Sequence, residues 1–373
     1  MYITFDNGRF VSTQNGINYQ EVLDDFPNAT TIRIMTYNIS AKDNHDVLLE
    51  RLKAARIDAD IKLVTNIPSR FPRYYNSSAG KHMKNKARTN IEQYIDKLNP
   101  SSFDPTFAPY FNFTNHAKIV GTENMVYIGS ANYSNESRYN IETGVIIQDT
   151  TFIKKLYDEF FENAIQSSIP YFDDDFQVLR LLVFSLLVKF NIHKEKITEN
   201  LYRYNSMANK YFFICEETSF SNDDLDELVS DLNDFRNLDV RAENTYSESD
   251  DRYNERIEEI VDYYNSIDVD WLINVSSIDD TLYNYINYDS ERESLQIFED
   301  VYYAEGYDEY LDEYMEKAMD DAQEKFDELL AEVDGIAEKY LDSISSIIST
   351  LEMTRALIDE YSQSRINPDL DNT

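Results

Sequence analysis

The residues able to do chemistry crowd into one stretch, from Asn115 to Ser134. His116 and Lys118 stand two apart, so on a strand both side chains leave the same face. The spacing predicts a turn at 121–124 and a return strand through Val126 and Ile128, which brings Gly129, Ser130, Ala131 and Asn132 back beside them. That cluster holds an imidazole, an ammonium, a hydroxyl and a carboxamide. An imidazole serves as nucleophile or proton carrier near neutral pH, and its neighbours can hydrogen-bond to developing negative charge. The chain has only 4 histidines, so one spent here is informative. A lone strand histidine is more often structural, and a His-x-Lys pair is cheap. His82 and Lys84 have the same spacing, but no acidic residue or Gly-Ser-x-Asn follows them, so they read as part of a basic loop.

The elements that must position these groups alternate. Thr31 to Ile39 has period-two alternation and β-branched residues, so it reads as a strand. Val47, Leu48, Leu52 and Ala55 have helical spacing, with Asn44 or Asp46 as cap. Ile61–Val64 reads as a short strand, and Ile91–Leu98 as a helix stopped by Asn99 and Pro100. Phe107–Phe113, Ala117–Val120, Met125–Ile128 and Gly144–Ile147 read as strands. An amphipathic helix follows, with Phe152, Leu156, Phe160 and Ala164 as its apolar stripe. This alternation describes an α/β domain over residues 1–168. Pro170 and the run Asp173–Asp175 mark a boundary, and residues 169–373 read as an acidic, mainly α-helical region. That region divides further into a helical connector, 169–220, and acidic helices, 221–373. Its clearest stripe runs from Leu311 through Ala318, Ala322, Val333, Tyr340, Ile344 and Ile347 to Leu351. The mean step is about 3.6 residues, that of a straight helix stripe rather than a left-handed coiled coil. Gly335 leaves open one long helix or two packed ones, and the stripe reads as core or dimer interface.

Taken whole, the 115–142 segment resembles the phospholipase D superfamily signature HxKxxxxD followed by GSxN. The matching residues are His116, Lys118 and Glu123, then Gly129, Ser130 and Asn132. Glu142, after Asn140 and Ile141, looks like the family's downstream acidic position. Glu123 stands where the family usually has Asp, which preserves the charge of a mainly structural position. The gap before the Gly-Ser pair is one residue shorter than usual. The resemblance covers residues 1 to about 168 and implies a mixed sheet flanked by helices.

It also implies a chemistry. A phosphodiester repels nucleophiles by its own charge and gains charge in the transition state. Lys118 and Asn132 would donate hydrogen bonds to the non-bridging oxygens, with Ser130 adding another. A neutral His116 would attack phosphorus and form a phosphohistidine, splitting displacement by water into two steps. Glu142 would hold the other ring nitrogen protonated. A second histidine must protonate the leaving oxygen and later activate water. This chain has one motif where the family active site uses two. Single-copy members resemble small bacterial endonucleases and a restriction endonuclease that pair two subunits, so the resemblance implies a homodimer in which both His116 residues meet. No metal or other cofactor is implied.

Charge distribution adds partners. Residues 1–210 balance 24 basic against 24 acidic side chains, while residues 211–373 hold 10 against 46, so the whole net charge of −36 lies there. Two units with different electrostatic tasks, or a solvated acidic surface, both fit. The acidic half suits docking of a protein partner, or autoinhibition by competing with nucleic acid at distances within about 8 Å. Residues 61–90 carry Lys62, Arg70, Arg73, Lys81, Lys84, Lys86 and Arg88 with no acidic residue, interleaved with Phe71, Tyr74 and Tyr75. Such a loop suits phosphates and unstacked bases; a solvated loop balancing nearby acids is the alternative. No apolar run approaches the roughly 18 residues of a membrane span, and the start has no secretory pattern. The single Cys215 excludes an intrachain disulfide framework and a multi-cysteine zinc site. The expectation is a cytoplasmic, metal-independent nuclease acting on DNA or RNA, in a setting that would suit bacterial antiviral defence. A phospholipase or small-phosphodiester hydrolase is the alternative, and a non-catalytic dimerising scaffold the third reading.

Overall fold

The structure is a computed structural model that describes residues 2–5, 7–40, 45–68, 91–174, 176–207, 210–213, 220–238, 254–278, 280–302 and 310–366. It divides into two compact units, Met1–Leu182 and Val183–Thr373.

The first unit is built on a nine-stranded sheet of β1 (Tyr2–Phe5), β2 (Gly8–Gln14), β3 (Thr31–Thr36), β4 (Asp60–Thr65), β5 (Thr106–Phe111), β6 (Ile119–Thr122), β7 (Val126–Gly129), β8 (Ile141–Ile147) and β9 (Ile169–Pro170), in the order β1-β2-β8-β7-β6-β3-β4-β5-β9. β3, β4 and β5 are parallel neighbours, and the remaining pairs are antiparallel. Parallel pairs need crossovers. Helix α2 (Val47–Lys53) provides the one between β3 and β4, with Asp46 accepting from Leu49 N as its cap. A helix over residues 91–97, α3, precedes β5, and α1 (Gln20–Asp25) lies before β3.

Both faces of the central strands are buried, the mark of a sheet covered on two sides. Met35, Val64, Ile119 and Val126 form one core with Ile153, Tyr157 and Phe161 of α4, the helical rod made of Thr150–Lys155, a π-helical stretch Leu156–Phe161 and Glu162–Gln166. Strand residues alternate sides, so Ile34, Leu63, Val120 and Tyr127, all fully buried, face the opposite layer. There Tyr127 meets Tyr19, with ring centroids 5.6 Å apart. The apolar stripe expected at Phe152 and Phe160 is displaced by one residue. Those two are 42% and 48% exposed, while Ile153, Tyr157 and Phe161 are buried. Apolar residues come in adjacent pairs along this rod, so periodicity cannot choose between the two stripes. The choice is made by Tyr157, whose hydroxyl donates to Thr122 O at 2.9 Å.

In the second unit, α5 (Gln177–Asn200) contains the division between units and leads to a hairpin, β10 (Tyr202–Asn205) and β11 (Lys210–Phe213), which the helical reading of the sequence did not include. Helices α6 (Asn222–Arg236), α7 (Asn254–Ser266), α8 (Val269–Val275), α9 (Thr281–Ile286) and α10 (Ser290–Ile297) precede α11, a single 56-residue helix from Leu311 to Ile366. The Leu311-to-Leu351 stripe is buried or half-buried along its length, and Gly335 sits in open space without interrupting the helix. The region is mainly helical, as expected. No described helix is long and apolar enough to cross a membrane.

Candidate active site

The chemistry-bearing residues gather where β3 and β7 end and β6 begins. β6 and β7 pair with Ile119 opposite Ile128, and the ladder runs one step further: Gly129 N donates to Lys118 O at 3.2 Å. That step brings the Gly-Ser-x-Asn segment back beside His116 and Lys118. The His-x-Lys pair itself is not in a strand, contrary to the expected Ala117–Val120 strand, since β6 begins at Ile119. The cause is Asn115. Its Oδ1 accepts from Ala117 N at 3.0 Å while its Nδ2 donates to Thr36 O at 2.8 Å, so a local side-chain turn replaces the ladder. Asn66 Nδ2, from the end of β4, donates to Asn115 O at 3.3 Å. Sequence reasoning missed both asparagines. Their roles lie in hydrogen bonds to residues distant in sequence, for which spacing carries no signal.

Lys118 Nζ lies 3.2 Å from His116 Nδ1 and also donates to His116 O at 2.6 Å. The imidazole is exposed and packs against Tyr37, with centroids 4.8 Å apart and planes at 58°. Partial burial pushes the Lys118 ammonium below the ordinary lysine range, opposed by the charge of Glu142. Glu142 is buried in β8. Its carboxylate accepts a short hydrogen bond from Ser130 Oγ and a longer one, 3.5 Å, from Asn140 Nδ2. Ser130 Oγ in turn accepts from Thr143 N at 3.1 Å. Asn132 is half-buried, and its Oδ1 is buried without a hydrogen-bond partner. Gly129 pairs with Gly144 across β7 and β8, and a Cβ at either position would collide with the Tyr127 ring.

His116 and Lys118 are thus in direct contact, as are Ser130 and Glu142, and the backbone bond from Gly129 N to Lys118 O sets the two pairs side by side. Two expectations are revised. Glu142 makes no hydrogen bond to His116 within the chain; its oxygens are taken by Ser130 and Asn140. Glu123 lies away from the cluster, in the β6–β7 turn, where it accepts from Thr30 N and Thr30 Oγ1, each at 2.9 Å, and from Thr31 N at 3.0 Å. Burial would raise the Glu123 carboxyl, but those hydrogen bonds outweigh it and hold the group below its usual range. Lys62 is in β4 and pairs with Glu162 at 2.8 Å, so it does not belong to the basic loop. Arg70, Arg73, Lys81, Lys84, Lys86 and Arg88 lie outside the described residues, as do His82 and Cys215. Among the described residues no group of three or more His, Cys, Asp or Glu is placed to hold a metal ion.

Comparison with known proteins adds the family. Residues 26–164 match the profile described as cardiolipin synthase, PLD-like domain. No curated protein matches the chain. Among solved structures, the chain is similar to Nuc from Salmonella typhimurium, a phospholipase D family member, at 19% identity and a TM-score of 0.31, over 44% of this chain and 97% of that one. It is also similar to NucT from Helicobacter pylori, at 15% identity and a TM-score of 0.29, over 43% and 99%. A third likeness is to TrmBL2, an archaeal chromatin protein, at 12% identity and a TM-score of 0.26, over 43% and 53%. At such scores the family assignment stands on the sequence profile and the motif residues. The matched profile includes His116, Lys118, Ser130, Asn132 and Glu142, and the first unit of this chain is a phospholipase D-like domain of the phosphodiesterase superfamily.

Proposed function

We propose that the chain is a metal-independent nuclease that cleaves phosphodiesters through a covalent His116 intermediate, in a site completed by a second copy of itself. The observation that carries this reading is the placement of an exposed imidazole against an ammonium at 3.2 Å, with the Gly-Ser-x-Asn segment brought alongside by the bond from Gly129 N to Lys118 O. Lys118 and Asn132 supply hydrogen-bond donors for the non-bridging oxygens, and Ser130 donates to Glu142.

Three features support the second copy. Displacement at phosphorus in two steps needs a proton donor for the leaving oxygen, and each chain brings one imidazole to the cluster. A charged Lys118 can only donate to His116 Nδ1, which leaves the ring proton on Nε2, the wrong tautomer for attack. A carboxylate from outside would correct that. Finally, Tyr139 is 78% and Ile141 70% exposed, so two large apolar side chains close in sequence to Glu142 are left open for a partner to cover. The polymeric substrate is inferred from the basic, aromatic stretch at 70–88.

The test is cleavage of single- and double-stranded DNA and of RNA in chelator, with phospholipid vesicles in parallel. Wild type should cut nucleic acid without metal, and His116→Ala should lose activity on the order of 10³-fold or more. Turnover of lipid alone would move the substrate class. Undiminished activity of His116→Ala would refute the mechanism.

A further inference from the structure

We propose that Tyr37, which belongs to neither motif, is a positioning residue of this site, whose ring face orients the His116 imidazole and receives the positive charge that the imidazole gains when it bonds to phosphorus. The proposal rests on the reading of His116 as nucleophile. Tyr37 directly follows β3, and the residue before it is tied to both motif segments: Thr36 O accepts from Asn115 Nδ2 at 2.8 Å, and Thr36 Oγ1 accepts from Tyr133 N at 3.3 Å. The backbone leading into Tyr37 is therefore fixed by the same asparagine that precedes His116 and by the residue that follows Asn132. Its ring lies 4.8 Å from the imidazole centroid and 5.5 Å from Lys118 Nζ. One aromatic surface thus touches both groups that would handle the phosphoryl oxygens and the phosphorus. Burial pushes the Tyr37 phenol upward, so it stays neutral and the ring acts through its π face.

The chemistry gives that contact a job. In the first step the Nε2 lone pair of His116 forms the N–P bond. The P–O bond to the leaving group breaks, and its electron pair departs on oxygen, which takes a proton from the second copy's imidazolium. Once Lys118 has turned from Nδ1 to the phosphoryl oxygens and the outside carboxylate holds the ring proton on Nδ1, the neutral His116 ring becomes cationic on attack. An aromatic face attracts a cation within about 6 Å and gains nothing comparable from the neutral ring. The contact is therefore stronger after attack than before it, which is the condition for speeding the step rather than tightening substrate binding. Tilting against Tyr37 also restricts rotation of an otherwise exposed side chain.

The test uses the full-length protein with a fluorescent oligonucleotide and with bis(4-nitrophenyl) phosphate. Tyr37→Leu should lower kcat roughly tenfold with KM little changed, and Tyr37→Phe, which keeps the π face, should recover most of the rate. A second measurement needs no turnover. The His116 ring protons should show an upfield ring-current shift by NMR in wild type and Tyr37→Phe that disappears in Tyr37→Leu. Full activity in Tyr37→Leu, with His116→Ala inactive, would overturn the role of Tyr37 and leave the nucleophile standing. The same holds if the ring-current shift is missing from wild type. An active His116→Ala would overturn both.

Discussion

At the scale of single residues, Lys118 sets a pH limit. It must be protonated to donate to phosphoryl oxygens, and its partial burial lowers its pKa from the ordinary lysine value of about 10.4. Activity should therefore be present below the folded-state pKa and fall as pH rises through it, with the alkaline limb displaced downward from a free lysine. A kcat/KM–pH profile checks this, and in Lys118→Arg that limb should vanish from the measurable range because guanidinium keeps its proton. His116, Lys118, Ser130 and Asn132 were legible in the sequence because four different functional groups share one short, ordered spacing. Tyr37 and Asn115 were not. A tyrosine after a strand looks like ordinary packing, and the asparagine's value lies in hydrogen bonds to Thr36, 79 residues away. The partnering of Glu142 was misjudged for a related reason. Its proximity to the motif could be read, but not the claim of Ser130 and Asn140 on its oxygens.

At the scale of elements, the β6–β7 hairpin is what delivers the motif, and Glu123 fastens its turn to the start of β3 through three hydrogen bonds. Because its folded pKa is depressed, the stabilisation it gives is present above the unfolded carboxyl value of about 4.3 and is lost as pH falls through the folded one. Glu123→Gln should cost about 1–2 kcal/mol, since an uncharged acceptor replaces a carboxylate held by three donors. Measured below its lowered melting temperature, the folded variant should keep near-normal kcat, because Glu123 touches no group of the cluster. Denaturant unfolding beside turnover checks both parts. The strands β3, β4 and β5 and the apolar stripe of α11 were legible from alternation and helical spacing, where a single period dominates, but Gly335 left open whether that stripe lay on one helix or two. The edge pair β1 and β2 was not read from the sequence. In α4, the paired apolar residues made the sign of the helix face undecidable without Tyr157 and its acceptor.

At the scale of the whole molecule, the two units carry different charge, with the surplus of −36 confined to residues 211–373. Nucleic-acid binding then depends on the local basic stretch rather than the total. Replacing Arg70, Arg73 and Lys84 with alanine should raise KM for DNA and flatten the salt dependence of binding by about one unit of slope for every phosphate that is no longer neutralised. Turnover of a small phosphodiester, which cannot reach along that stretch, should change far less, and paired salt titrations of the two substrates would read this out. The deepest claim is that one chain cannot finish the reaction alone. Quenching turnover in alkali, which preserves phosphoramidate bonds, and mapping the adduct by mass spectrometry alongside the particle's mass tests it directly. The account predicts a phosphoryl adduct on His116, in one chain of each dimer. An active monomer, or a turnover cycle with no adduct on His116, would contradict it.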